Sequence, residues 1–555
     1  MPTSKRTRLL PLAFMVWSGV WALLFSPVTV ARVYQFGIEV PKPADNPLIW
    51  NHTLAFLWIP PSLKHIRAVL LAPANIIEKR FCDSRIIRRE DARDGLAVMF
   101  FDPGWKSGLV HTPQVVPYIQ NLLNKLALKS GYGDLATAPW IPIGHSGNSF
   151  FVTGILRYAP QRTVAAIYIN GGLINPAKNG TTVGIGGIPI MFFTGQFEEV
   201  PPPGHVRDAW WGVQMHRFYI DKQAVPHCLI YGMLDRGYGH LNWFAFQSRY
   251  AALFLHEAIQ ARLPSPATRS DKLNTIHYAD GWLCDPTGWF STRTPRHKSA
   301  PVEKYKGNPA RAYWVFDKTM AVAWQHLFFY DAGHRQQMIA FVQHGKIAPL
   351  WHGWGVQQIT FDPMADGITF RVHAVFRKQI PRIYTDGGTK LGHAKRPPIQ
   401  YCVLGWAGQT QQVGPQTFRI AFNREGINGR TLHVIIGAYQ TGSAHYLPAI
   451  GSASFYIPSN HSGVAQKITF PPIANVVAGS HGITLRATVN SPLPVRYYVS
   501  WGPAKIMGNK LVFTPIPLHS RFPVQVRVTA YQWGKVTKPQ YAAARSVTRV
   551  FYIYK

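Results

Sequence analysis

From about residue 50 to 262 the chain alternates short apolar runs with stretches of helical period. That alternation limits its architecture more than any other feature. Ile66 to Leu71, Leu96 to Phe101, Trp140 to Ile143, Val164 to Ile169 and Ile188 to Phe193 are apolar runs of strand length. Between them, as in Val115 to Leu128, apolar residues recur at intervals of three and four. Arg249 to Ala261 reads as a closing helix. Strands that are apolar throughout and separated by helices belong in a mainly parallel sheet covered on both faces. The expected first domain is therefore of α/β class and runs from 32 to 265.

The remainder reads differently. Residues 266–354 are irregular and aromatic, with Trp282, Trp289, Trp314 and Trp324, and only Phe316 to His326 has a helical pattern. They are expected to connect domains. From 355 onward short alternating runs such as Ile368 to Val375 are separated by Gly, Pro and Asn turns, which is the pattern of β-sandwiches. The expected division falls near 465, giving sandwich modules over 355–465 and 466–555. In the last module Ile483 to Thr488, Leu493 to Tyr497, Gly502-Pro503-Ala504, Gly508 to Leu511 and Val524 to Ala530 resemble the immunoglobulin-like modules of secreted bacterial proteins. That resemblance implies a spacing, attaching or stabilising part without chemistry of its own.

The chain has 58 Lys and Arg against 25 Asp and Glu, a formal net charge of +33. Charged residues make up 15%, below the usual share of about 25%, so the imbalance comes from missing acids. A basic surface suits nucleic acid or an acidic polymer. A surface poor in carboxylates instead suits work in acid, where carboxylates that stabilise a fold are protonated. The second reading is favoured, because the basic residues are scattered and no nucleic-acid motif occurs. Contact with a cell surface or an acidic polymer stays open. Lys5, Arg6 and Arg8, the apolar run Leu9 to Phe25 and the small residues near Ala31 read as a signal peptide over 1–31. A secreted, periplasmic or cell-surface protein is expected. Its four cysteines, Cys82, Cys228, Cys284 and Cys402, form no CxxC pair, which argues against zinc and leaves room for one or two disulfides.

The chemistry lies in Gly144-His145-Ser146-Gly147-Asn148, between an expected strand and the helical stretch Phe150 to Tyr158. A serine on a sharp strand-to-helix turn needs small neighbours, a histidine to take its proton and a carboxylate to orient that histidine. Beyond the run that ends at Phe193 lies Thr194-Gly195-Gln196-Phe197-Glu198-Glu199. Glu198 is the expected acid, Glu199 the second choice and Asp235 a spare. Asp102 reads as a turn residue. In the glycine-rich Gly237-Tyr238-Gly239-His240-Leu241, His240 is the expected base. His145 is expected to line the pocket entrance or to pack. Oxyanion donors are sought at the Gly147 N–H and at Ala74 or Asn75, after the early strand. The tryptophans are expected in cores rather than against sugar rings.

On these motifs, residues from about 55 to 262 resemble the α/β-hydrolase superfamily, near its esterase and dienelactone-hydrolase-like branches. The resemblance implies hydrolysis of a carboxylic ester through an acyl-enzyme, with no cofactor and no metal. The substrate would be a small ester or one carried on a polysaccharide. Two positions depart from the common pattern: Asn148, where a small residue is usual, and Glu198, where aspartate is commoner. Asn148 and the large share of β-modules leave a second reading, a polysaccharide-binding or surface-attachment protein on a hydrolase scaffold without activity.

Overall fold

The computed structural model describes residues 33–41, 52–102, 109–173, 184–198, 209–265, 272–287, 294–329, 333–350, 355–384, 387–405, 410–422, 433–458 and 460–555. The expected signal peptide and Glu199 lie outside the described residues. Among the described residues no helix is long and apolar enough to cross a membrane.

An eight-stranded sheet organises the N-terminal half. Its strands are β1 (Phe36–Pro41), β2 (His52–Trp58), β3 (Ala68–Pro73), β4 (Leu96–Asp102), β5 (Trp140–His145), β6 (Ala166–Ile169), β7 (Ile190–Phe197) and β8 (Ile230–Gly239). They lie in the order β1-β2-β4-β3-β5-β6-β7-β8. β1 and β2 are antiparallel to their neighbours, and the strands from β4 to β8 run parallel. Six helices accompany the sheet: α1 (Glu78–Cys82), α2 (Arg85–Asp94), α3 (Val115–Ser130), α4 (Ser149–Tyr158), α5 (Ala209–Ala224) and α6 (Ala245–Arg262). The apolar runs are buried on both sides. Leu54, Phe56, Leu70 and Val98 enter one core, while Ala55, Leu57, Val69, Leu71 and Ala97 enter the other. Alternate side chains point to opposite faces, so a strand needs apolar residues at every position when helices cover both.

The stretch expected to connect domains is part of the fold. Trp282–Cys284, Ala300–Pro301 and Tyr313–Val315 form a small sheet. The helix Lys318–Phe329 follows, close to the expected position. Tyr313, Val315 and Trp324 join a core of the first domain, and Trp324 Nε1 donates to Gly232 O at 2.9 Å. Trp58, Trp140, Trp243, Trp314 and Trp324 are all fully buried, as expected of core residues.

The C-terminal half is made of small, mainly antiparallel sheets. Ile339–Gln343 pairs with His373–Phe376, so the first sandwich takes in residues before 355. Composition gave no sign of this, because a strand's partner is chosen by long-range pairing. The last module is docked on the first domain. Its core residues Val526, Val528 and Phe551 are continuous with the α3 face of the large sheet. Lys129 Nζ donates to Gly37 O and to Gln525 Oε1, and Arg527 pairs with Glu39 at 3.1 Å. Main-chain bonds also cross the junction, from Arg521 N to Ser130 O at 2.8 Å and from Gly502 N to Tyr34 O at 2.9 Å.

Candidate active site

Ser146 sits between β5 and α4 at the C-terminal edge of the sheet, with φ +53°. Few residues other than glycine adopt a positive φ, and they do so where surrounding structure holds them. The turn folds so tightly that a Cβ on Gly144 would fall 2.2 Å from Asn148 O. Ser146 is half-buried and Gly147 exposed.

His240 follows β8 directly. Gly237 to Gly239, expected in a loop, belong to that strand. His240 Nε2 lies 2.9 Å from Ser146 Oγ, and Nδ1 lies 2.9 Å from Glu198 Oε1. Glu198 follows β7, fully buried. Its other oxygen accepts from Thr194 Oγ1 at 2.8 Å and from Gly195 N at 3.0 Å. The carboxylate is thus fixed by donors on one side and the imidazole on the other. Burial holds His240 below its ordinary value, at about 3, which favours the neutral imidazole. Two residues, 42 and 94 positions from the histidine, come together with it in the Ser-acid-His relation.

The spare acid does not join them. Asp235 lies within β8, where it accepts from Gln247 Nε2 on α6. Burial pushes its carboxyl up to about 8, which leaves it neutral at pH 7. Asp102 ends β4.

Both oxyanion expectations can be placed. Gly147 N–H makes no hydrogen bond with the described residues. Ala74 is corrected: its N–H donates to Phe101 O at 2.7 Å, because the chain leaving β3 still pairs with β4, and it is not available to substrate. Asn75 remains, half-buried, with its side chain donating to His145 O at 3.0 Å.

His145 is fully buried and packs rather than lining an entrance. Its Nε2 donates to His240 O at 3.0 Å, and the two rings are 4.8 Å apart. Burial holds it well below the usual imidazole range. Asn170, at φ +44°, also donates to His240 O, at 2.7 Å. Asn170-Gly171-Gly172 after an apolar run was a legible hint, since asparagine tolerates the left-handed region.

The first sandwich closes over the acid and base segments. Phe197 packs its ring 5.2 Å from Tyr384, and Phe244 lies 5.0 Å from Tyr439. Arg80 Nε donates to Trp243 O at 2.6 Å, and its Nη1 donates to Val403 O of the sandwich. Gly237, at φ +75°, approaches Pro448 so closely that a Cβ would meet its carbonyl oxygen at 1.9 Å.

The four cysteines form no disulfide. Among the described residues, Glu90, Asp94 and His256 place metal-ligand types within 4.8 Å of one another. Arg93 lies 3.1 Å from Glu90 and 3.7 Å from Asp94, so a cation of the chain already serves both carboxylates.

The first domain has the α/β-hydrolase fold. Its strand order, its antiparallel first pair and a serine turn after β5 carry that assignment. No protein-family model matches the chain, and no curated protein matches it. Solved structures do. The LpqC poly(3-hydroxybutyrate) depolymerase of Bordetella parapertussis is 14% identical, covers 42% of this chain and 92% of its own, and has a TM-score of 0.29. An S-formylglutathione hydrolase of Agrobacterium tumefaciens is 14% identical, over 38% of this chain and 90% of its own, with a TM-score of 0.27. The siderophore hydrolase EstA of Aspergillus nidulans is 11% identical, over 42% and 98%, with a TM-score of 0.27.

Proposed function

We propose that the chain is an exported serine hydrolase acting on carboxylic esters, with Ser146, His240 and Glu198 as its triad. One observation carries the reading: His240 bridges Ser146 Oγ and Glu198 Oε1 at 2.9 Å on each side, with Ser146 on a strained turn. Export rests on the N-terminal composition, and the ester class on the fold and the absence of any cofactor requirement in such a triad.

In this mechanism Ser146 Oγ attacks the ester carbonyl carbon while its proton passes to His240 Nε2. Glu198 stabilises the resulting imidazolium through Nδ1–H. The carbonyl oxygen becomes an oxyanion, which the N–H groups of Gly147 and Asn75 receive. His240 returns the proton to the departing alkoxide, leaving an acyl-serine. Water then attacks the acyl carbon, losing a proton to His240, and the acid leaves with Ser146 restored.

The inactive-scaffold reading leaned on Asn148. That residue is bonded into the base of the turn (Nδ2 to Pro73 O at 3.0 Å) and removes no reacting group. A fluorophosphonate should label the mature protein, and Ser146→Ala should abolish both labelling and turnover of short acyl nitrophenyl esters. A parent protein that is neither labelled nor active, yet retains polysaccharide, would replace the hydrolase with the binding protein.

A further inference from the structure

Glu78 had no place in the sequence reading, yet it is fully buried directly beneath the serine turn. It is the first residue of α1 and follows the loop that carries Asn75. Its Oε1 accepts two hydrogen bonds from the turn: one from His145 N at 2.8 Å and one from Asn148 Nδ2 at 2.7 Å. The second hydrogen on Asn148 Nδ2 goes to Pro73 O, at the end of β3. A return bond runs from Asn75 Nδ2 to His145 O at 3.0 Å. Pro73 O has no hydrogen to donate and Glu78 Oε1 already accepts from His145 N, which fixes the orientation of the Asn148 amide.

These four bonds grip the residues on either side of Ser146 and Gly147. They tie the serine turn, which carries Gly147, to β3 and to the Asn75 loop, so that both proposed oxyanion donors are held by one brace. A main-chain N–H helps in the transition state only if it already points at the developing charge. A displacement of about 1 Å can cost about a hundredfold in rate. We propose that Glu78 and Asn148 are positioning residues, which set the spacing between the serine turn and the Asn75 loop and so preorganise the oxyanion site. The inference rests on the hydrolase reading above. Two further facts fit it. Burial lifts the Glu78 carboxyl to about 7, so a neutral acceptor serves as well as a charged one. Asn148 stands where a small residue is common in such turns, and the brace gives its larger side chain a use.

The test compares the full chain with Asn148→Ala and Glu78→Gln. Fluorophosphonate labelling rate, kcat and KM on a nitrophenyl ester, and inhibition by an alkyl boronic acid, which mimics the tetrahedral state, would be measured. Asn148→Ala should lower kcat and boronate affinity together by about tenfold to a hundredfold, with KM changed less than about threefold. Glu78→Gln keeps a carbonyl oxygen for the same two donors and should stay within about threefold of the parent in every readout. A folded Asn148→Ala with parental kcat and boronate affinity would overturn the brace, as would a Glu78→Gln as impaired as Asn148→Ala. A parent that fluorophosphonate fails to label would instead overturn the hydrolase reading, and the brace with it.

Discussion

Mild acid should stabilise this protein relative to mild base, and the buried groups give the size of the effect. Burial raises Glu78 to about 7, and Asp221 and Asp235 to about 8, while Asp91 is raised well above its ordinary value. Unfolded, these carboxyls ionise near 4. Between the two values the folded chain holds protons that the unfolded chain has lost, so stability falls as pH rises. Buried histidines act in the opposite sense. His240 is lowered to about 3, His433 to about 4, and His145 well below its ordinary value. Each removes stability as pH falls below about 6.5, where the unfolded imidazole takes a proton. From about pH 4.5 to 6.5 the two sets oppose each other, and because the raised carboxyls outnumber the lowered histidines stability should already fall gently as pH rises. Above 6.5 the histidines no longer contribute, and Asp221 and Asp235, together with Asp91, continue to lower stability up to about pH 8. Each group has a slope of about 1.4 kcal/mol per pH unit. Asp221 and Asp235 alone account for a loss of about 4 kcal/mol by pH 8, a large part of a typical domain stability of about 5–15 kcal/mol. Urea unfolding at pH 5, 6.5 and 8 would measure this through the midpoint at constant m. Asp221→Asn and Asp235→Asn should each flatten the alkaline limb. A midpoint that climbs from pH 6.5 to 8, or a limb unchanged in both variants, would refute the reasoning. The scarcity of acids over the whole chain fits the same preference.

Two further outcomes concern the site. His240 acts as a base only when neutral, and burial lowers it, so the acid limb of kcat/KM should lie well below pH 6.5. A pH–rate profile over the folded range checks this, and a midpoint at 6.5 or higher contradicts it. Gly237→Ala adds a methyl against Pro448 O at a residue with φ +75°. It should push the His240 segment away from the sandwich, lowering the melting temperature by several degrees and kcat by about tenfold. Unchanged kcat would show that the sandwich contact does not bear on the base.

Some of this protein was present in the order of its residues. The parallel sheet was legible because strands buried on both faces must be apolar throughout, as Leu96 to Phe101 is. Ser146 and Glu198 were legible because each follows an apolar run within a few positions, and His240 because it lies in a glycine-rich stretch ahead of the closing helix; the sheet gathers these segments on one edge. The antiparallel β1 and β2, the helix α5 and the strand β8 were not read. Nor was the pairing of Ile339–Gln343 into the first sandwich, which depends on a strand 34 residues further on. Hydrogen-bond partners were the least legible of all. Nothing local to Ala74 says that its N–H is spent on Phe101 O, and nothing local to Glu78 says that it meets Asn148, 70 residues away. Local sequence sets which backbone shapes and burial patterns are favourable. The partners of a buried polar group are set by which segments the whole chain packs together, and only the tertiary structure decided those.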